Sequence, residues 1–152
     1  MILPTCPTSQ SIQMLQAPNN EQLVMLLALF NSIPFDYIIR MKMPGLDLTQ
    51  SIIKQVPVPS ESDYHQVVTF KGRKASIKTH ILSYAISLLN DEDRLKSLVD
   101  AFNDSVYDVE EMCKDEKRKM IDLLFKEAYH LDDETYNAML ITFPKYQATH
   151  IV

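Results

Sequence analysis

Glycine occurs only twice in the 152 residues, at positions 45 and 72. Glycine supplies the positive-φ positions of tight hairpins and the close backbone approach of phosphate-cradling loops. A chain this poor in it is restricted mainly to helices. No P-loop, dinucleotide-binding G-x-G-x-x-G or nucleophile elbow can be written with two glycines 27 residues apart. The expected fold is all-α or nearly so, an irregular bundle of about six helices with room for one short strand at 2–3.

The helix pattern is legible from caps and apolar spacing. Asn19 and Asn20 can cap a helix over 21–30 that is apolar nearly all round, which marks an element buried on more than one side. Asn31 and Ser32 break it. Ser32 then reads as the N-cap of a second helix over 33–43, with Pro34 in its first turn, Asp36 near the positive end of its dipole and Arg40 and Lys42 in its last turn. Asp47 or Thr49 opens a short helix to Lys54, and residues 56–63 read as extended, near-polyproline chain. Residues 67–70 have strand composition but no identifiable partner, and are read as helix or loop. A basic run follows, in which Lys71, Lys74 and Lys78 would share a helical face. Further helices are expected over 75–90, over 92–102 after Asp91, over 108–130 after Asp108, and from Asp132 or Asp133 to Pro144. The expected organisation is a part over 1–60, a part over 61–144 and a frayed tail over 145–152.

Length and composition fit one compact domain, with 46% apolar and 23% charged residues. The net charge of −5 is uneven: zero over 1–60, +2 over 61–90 and −7 beyond. Such a chain does not coat nucleic acid indiscriminately, and any phosphate contact falls in the first 90 residues. Cys6 and Cys113 fit a reducing cytoplasm better than a disulfide framework, and the N-terminus lacks the pattern of an export signal. The longest apolar run, about 11 residues, is short of the ~20 that cross a bilayer. A cytoplasmic location without membrane contact is therefore expected.

Catalytic constellations are missing from the pattern. His65, His80, His130 and His150 are scattered, with no histidine or cysteine four residues from another. No metal is expected. The pairs Glu110-Glu111, Asp115-Glu116 and Asp132-Asp133 alternate with lysine and arginine, as on a solvated helix face. No nucleophile–base pair suggests a hydrolase.

Two stretches carry a resemblance. One is FNSIPFDYIIRMKMPGLDLTQSIIKQVPVP, over 30–59, with Asn31, Ser32, Asp36, Tyr37, Arg40, Lys42, Gly45, Pro57 and Pro59. The other is RKMIDLLFKEAYHLDDETYNAMLITFP, over 118–144, with Asp122, Tyr129, Leu131 and Phe143. Together they resemble the C-terminal segment of type IIG-like restriction–modification adenine-N6 DNA methyltransferases, whose relatives carry a TaqI-like specificity domain. His130 stands where that pattern has glycine. The resemblance implies a non-catalytic helical portion that supports DNA target recognition and docks to a catalytic domain. S-adenosylmethionine and the Asn-Pro-Pro-Tyr-type motif would belong to that catalytic part, and no cofactor is expected in this chain. The implied partners are double-stranded DNA and the methyltransferase domain or subunit, and a homo-oligomer is compatible with the sequence. Arg40, Lys42 and Lys54 are candidate phosphate contacts, with Lys71, Arg73, Lys74 and Lys78 a second candidate surface. The alternative is a helical protein-interaction or assembly module that makes no DNA contact.

Overall fold

The computed structural model describes residues 16–43, 45, 48–90, 93–102 and 104–143. Within them the chain is mostly helical with one small antiparallel sheet. The elements are α1 (Asn20–Phe30), α2 (Ile33–Lys42), α3 (Gln50–Ile53), α4 (Glu61–His65), β1 (Val67–Phe70), β2 (Arg73–Ser76), α5 (Ile77–Leu89), α6 (Lys96–Asp100), α7 (Lys114–Ala128) and α8 (Asp133–Ile141). A 3-10 turn over Asp93–Leu95 leads into α6. The strand expected at 2–3, the tail and the caps proposed at Asp47 and Asp91 lie outside the described residues.

Local chemistry explains most boundaries. Side chains of Asn19, Thr49, Ser60, Ser76 and Asp132 each accept a backbone N–H at the start of a helix. Ser60 and Asp63 complete a capping box, so the chain expected to stay extended to 63 turns helical from Glu61. α7 closes in a Schellman turn. The Leu131 N–H donates to the Lys126 carbonyl and the His130 N–H to Glu127, with His130 at φ 54. His130 thus occupies the left-handed position usually given to glycine and keeps the same turn.

Other sequence expectations fail as well, and the helix expected over 92–102 is reduced to the 3-10 turn and α6. Residues 67–70 do have a partner: β1 pairs with β2 in the register Val67↔Ser76 to Phe70↔Arg73. Lys71 (φ 48) and Gly72 (φ 76) form the two-residue turn, and the positive φ at both marks it as type I′. Lys71, Lys74 and Lys78 therefore lie in a turn, a strand and the first turn of α5, not on one helical face. The helix expected from Asp108 begins only at Lys114. Cys113 is its N-cap, its thiol accepting the Glu116 N–H while the Glu116 carboxylate accepts the Cys113 N–H.

α5 is the centre of the fold. Ile77, Ile81 and, on α7, Leu124 and Phe125 have no measurable exposure, and they meet Val24 of α1 and Phe35 of α2 in one cluster. That cluster draws on residues from both sides of position 60. A smaller one joins Ile33 to Tyr136, Leu140 and Phe143, seating α8 against α2. α1 and α2 meet at a bend of 67°, and no single described helix is long and apolar enough to cross a membrane.

Candidate functional site

The hairpin tip places exposed cations beside a built polar cluster. Lys71, Arg73 and Lys74 are exposed on the turn and β2. Beneath them α5 presents His80, which is fully buried. The Val68 carbonyl lies 3.4 Å from His80 Nε2, and a carbonyl can only accept, so Nε2 carries the proton. Nδ1 then accepts from the Tyr107 hydroxyl. Burial, opposed by the Val68 bond and aided by the Arg73 charge, holds the His80 pKa below the usual 6.5, which favours the neutral imidazole. Burial also pushes the Tyr107 phenol up to about 12.

The segment that carries Tyr107 is fastened from a second side. Ser83 Oγ donates to the Thr79 carbonyl and accepts the Tyr107 N–H at 3.2 Å. Phe70 packs edge-on to Tyr84 with ring centres 6.0 Å apart. The Arg73 guanidinium sits 4.2 Å above the Tyr107 ring, a cation–π contact that fixes a surface charge without neutralising it. Between the tip and this segment lies a shallow depression of about 160 Å³, with Lys71 and Arg73 on one side and Asp108 and Glu110 on the other. Lys71 also reaches toward the start of α7, where hydrogen bonds from the Cys113 backbone and side chain, then the Lys71 charge, lower the Glu116 pKa.

The remaining predicted cations are placed differently. Arg40 is bidentate to Asp36, with Nε–Oδ1 and Nη2–Oδ2 both at 3.0 Å, and its guanidinium lies 5.1 Å over the Phe143 ring. Lys42 and Lys54 are exposed at the ends of α2 and α3. Lys78 is paired with Glu21 of α1 at 3.1 Å. The structure thus brings Lys71, Arg73 and Lys74 together and keeps Lys78 for an interhelical tie.

The residues behind the resemblance meet one another. Asp122, buried in α7, accepts the Ile33 N–H at 2.8 Å. Ser32 holds the N-cap position as expected, but its hydroxyl turns back to the Leu29 carbonyl at 2.8 Å and the capping bond to the first turn comes from Asp122 instead. Asn31 Nδ2 donates to Leu27. The Tyr129 hydroxyl donates to the Pro57 carbonyl at 3.1 Å, Pro59 is buried, and Tyr37 packs half-buried on the small cluster. In this arrangement they hold α2, α7 and the 57–60 segment together.

The His80–Tyr107–Arg73 cluster was missed from sequence. Its signal is a histidine on the apolar face of 77–86, since a buried imidazole requires partners. Among the described residues no group of three His, Cys, Asp or Glu is placed to hold a metal ion. Cys113 is an exposed free thiol. No protein-family model matches the chain, and no curated protein or solved structure matches it either.

Proposed function

We propose that the chain is a non-catalytic docking module for a polyanionic backbone, duplex DNA first, and that its contact is the hairpin tip rather than the end of α2. One observation carries this reading. Three exposed cations, Lys71, Arg73 and Lys74, stand within four residues of an otherwise acidic chain, and a buried network holds their ribbon in place. Cations held in advance lose little side-chain entropy on meeting phosphate, and Arg73 is already fixed by its ring. Phosphate contacts position a protein without specifying sequence, which suits a supporting role. The resemblance to adenine-N6 methyltransferases supplies the setting: recognition support beside a catalytic domain that itself holds S-adenosylmethionine.

A second reading has its own observation. Asp108 and Glu110 line the same depression, and that mixture of signs suits a charged protein partner better than a phosphate chain.

Anisotropy of a labelled duplex across a salt series separates the two. Under the DNA reading, Lys71→Ala with Lys74→Ala lowers the slope of log K against log salt by about 2, and Arg40→Ala with Lys42→Ala changes it little. Absence of binding at low salt removes the DNA reading and leaves protein docking.

A further inference from the structure

We propose that the free edge of β1 is a self-pairing surface that joins two copies of this chain, strand to strand and antiparallel. The register fixes which backbone groups face outward. Phe70 and Arg73 flank a two-residue turn and so form a hydrogen-bonded pair, and every second pair from there does the same: Val68↔Ala75, then Gln66 with Ile77. The Ile77 N–H donating to the Gln66 carbonyl at 2.9 Å agrees with that phase. Val67 and Thr69 therefore turn their N–H and C=O groups away from β2, and no backbone partner meets them among the described residues.

The two edges of the ribbon differ. β2 begins Arg73-Lys74, cations of the kind that repel an incoming strand. β1 reads Val-Val-Thr-Phe, without charge or proline, and its Val67 is 57% exposed. Only one edge is protected.

The open edge is complementary to itself. Pairing Val67 with Thr69 of a second copy centres a two-fold axis on Val68, satisfies all four outward groups on each strand and covers both Val67 side chains. The ends add a charge argument. α4, one residue before β1, carries Glu61 and Asp63, while the turn and strand after β1 carry Lys71 and Arg73. Antiparallel pairing sets the acidic end of each copy beside the basic end of the other. An unrelated apolar strand could use the edge but would gain nothing from those ends. A second copy is therefore the occupant, and the contact does not depend on DNA binding.

The test uses the full chain with Cys6→Ser and Cys113→Ser, serine keeping an N-cap oxygen at 113. Chains carrying Val67→Cys and Thr69→Cys are mixed and oxidised. The expected product is the mixed 67–69 disulfide, in clear excess over either symmetric one. Sedimentation of the parent chain, loaded from ~10 µM to ~1 mM, is expected to show a reversible, salt-weakened dimer. Val67→Lys, and separately Thr69→Pro, which removes an outward N–H and no bond to β2, should each raise the dimer Kd at least ~10-fold with an unchanged circular dichroism spectrum. A monomer across the whole range, statistical disulfides, or a dimer indifferent to both substitutions overturns the proposal. If one variant loses its fold, the other and the disulfide ratio decide.

Discussion

Two of the molecule's buried polar ties are built on opposite principles. At the α2–α7–α8 junction an acidic side chain, Asp122, is buried and accepts a backbone N–H of α2, and nearby the Tyr136 hydroxyl is buried with no hydrogen-bond partner among the described residues. At the hairpin, by contrast, the buried groups are neutral and paired: His80 with Val68 and Tyr107, Ser83 with Thr79 and the Tyr107 backbone. A buried carboxylate makes a strong bond and leaves a large deficit when its partner goes. A neutral network costs less to bury and, when fully paired, stiffens the segment it joins.

Removing Asp122 should open the widest gap between the two regions. Asp122→Ala leaves the first turn of α2 uncapped and is expected to cost about 2–3 kcal/mol in denaturant unfolding, with Asp122→Asn costing less because an acceptor remains. The hairpin equivalent is smaller: Tyr107→Phe strands His80 Nδ1 and should cost about 1–2 kcal/mol at pH 7. Acid sharpens the contrast. The native His80 pKa lies below its unfolded 6.5, so the unfolded chain binds the extra proton first. Stability is then complete above pH 6.5 and declines as pH falls toward the depressed native value. Thermal melts between pH 7.5 and 5 should show that decline, reduced in His80→Gln. Asp63 acts in a separate window. Hydrogen bonds from Ser60, then His130, lower its pKa to about 2, so its contribution persists until pH drops below about 4.

Smaller effects should run in the opposite direction. Lys71→Asn relieves a left-handed lysine in a type I′ turn and should stabilise by up to about 1 kcal/mol. Tyr136→Phe deletes the orphaned hydroxyl and should be neutral or stabilising by less than about 1 kcal/mol. A clear loss in that variant would mean that the hydroxyl has a partner. Arg40→Ala runs the other way: it removes the exposed pair with Asp36 and the contact over the Phe143 ring, and a loss of up to about 1 kcal/mol is expected.

Much of the helical frame was legible because its signals are local. Asn19, Thr49 and Asp132 cap where their side-chain chemistry indicates, and the spacing Ile77, Ile81, Ala85 marks the buried face of α5. The hairpin was not, because type I′ turns are recognised by Asn-Gly or Asp-Gly and this one is Lys-Gly, followed by a strand of unusual composition, Arg-Lys-Ala-Ser. The start of α7 was misplaced because a thiol rarely serves as an N-cap, so Asp108 looked the better opening. Asp122 could not have been read as a cap of α2, since nothing local links it to Ile33, 89 residues away. For the candidate site, the individual cations were visible and their grouping was not. A helical spacing joined Lys78 to Lys71 and Lys74, whereas the ribbon selects Arg73 and leaves Lys78 to Glu21.

The long reach of Asp122 also sets an order of events during synthesis. The first helical turn of α2 leaves the ribosome well before the carboxylate that completes it, and at ~5–20 residues per second the 89 intervening residues take roughly 4–18 s. α5, which ends at Leu89, is made part-way through that interval, and α7 only at its close. The first turn of α2 is therefore completed only when α7 has been made.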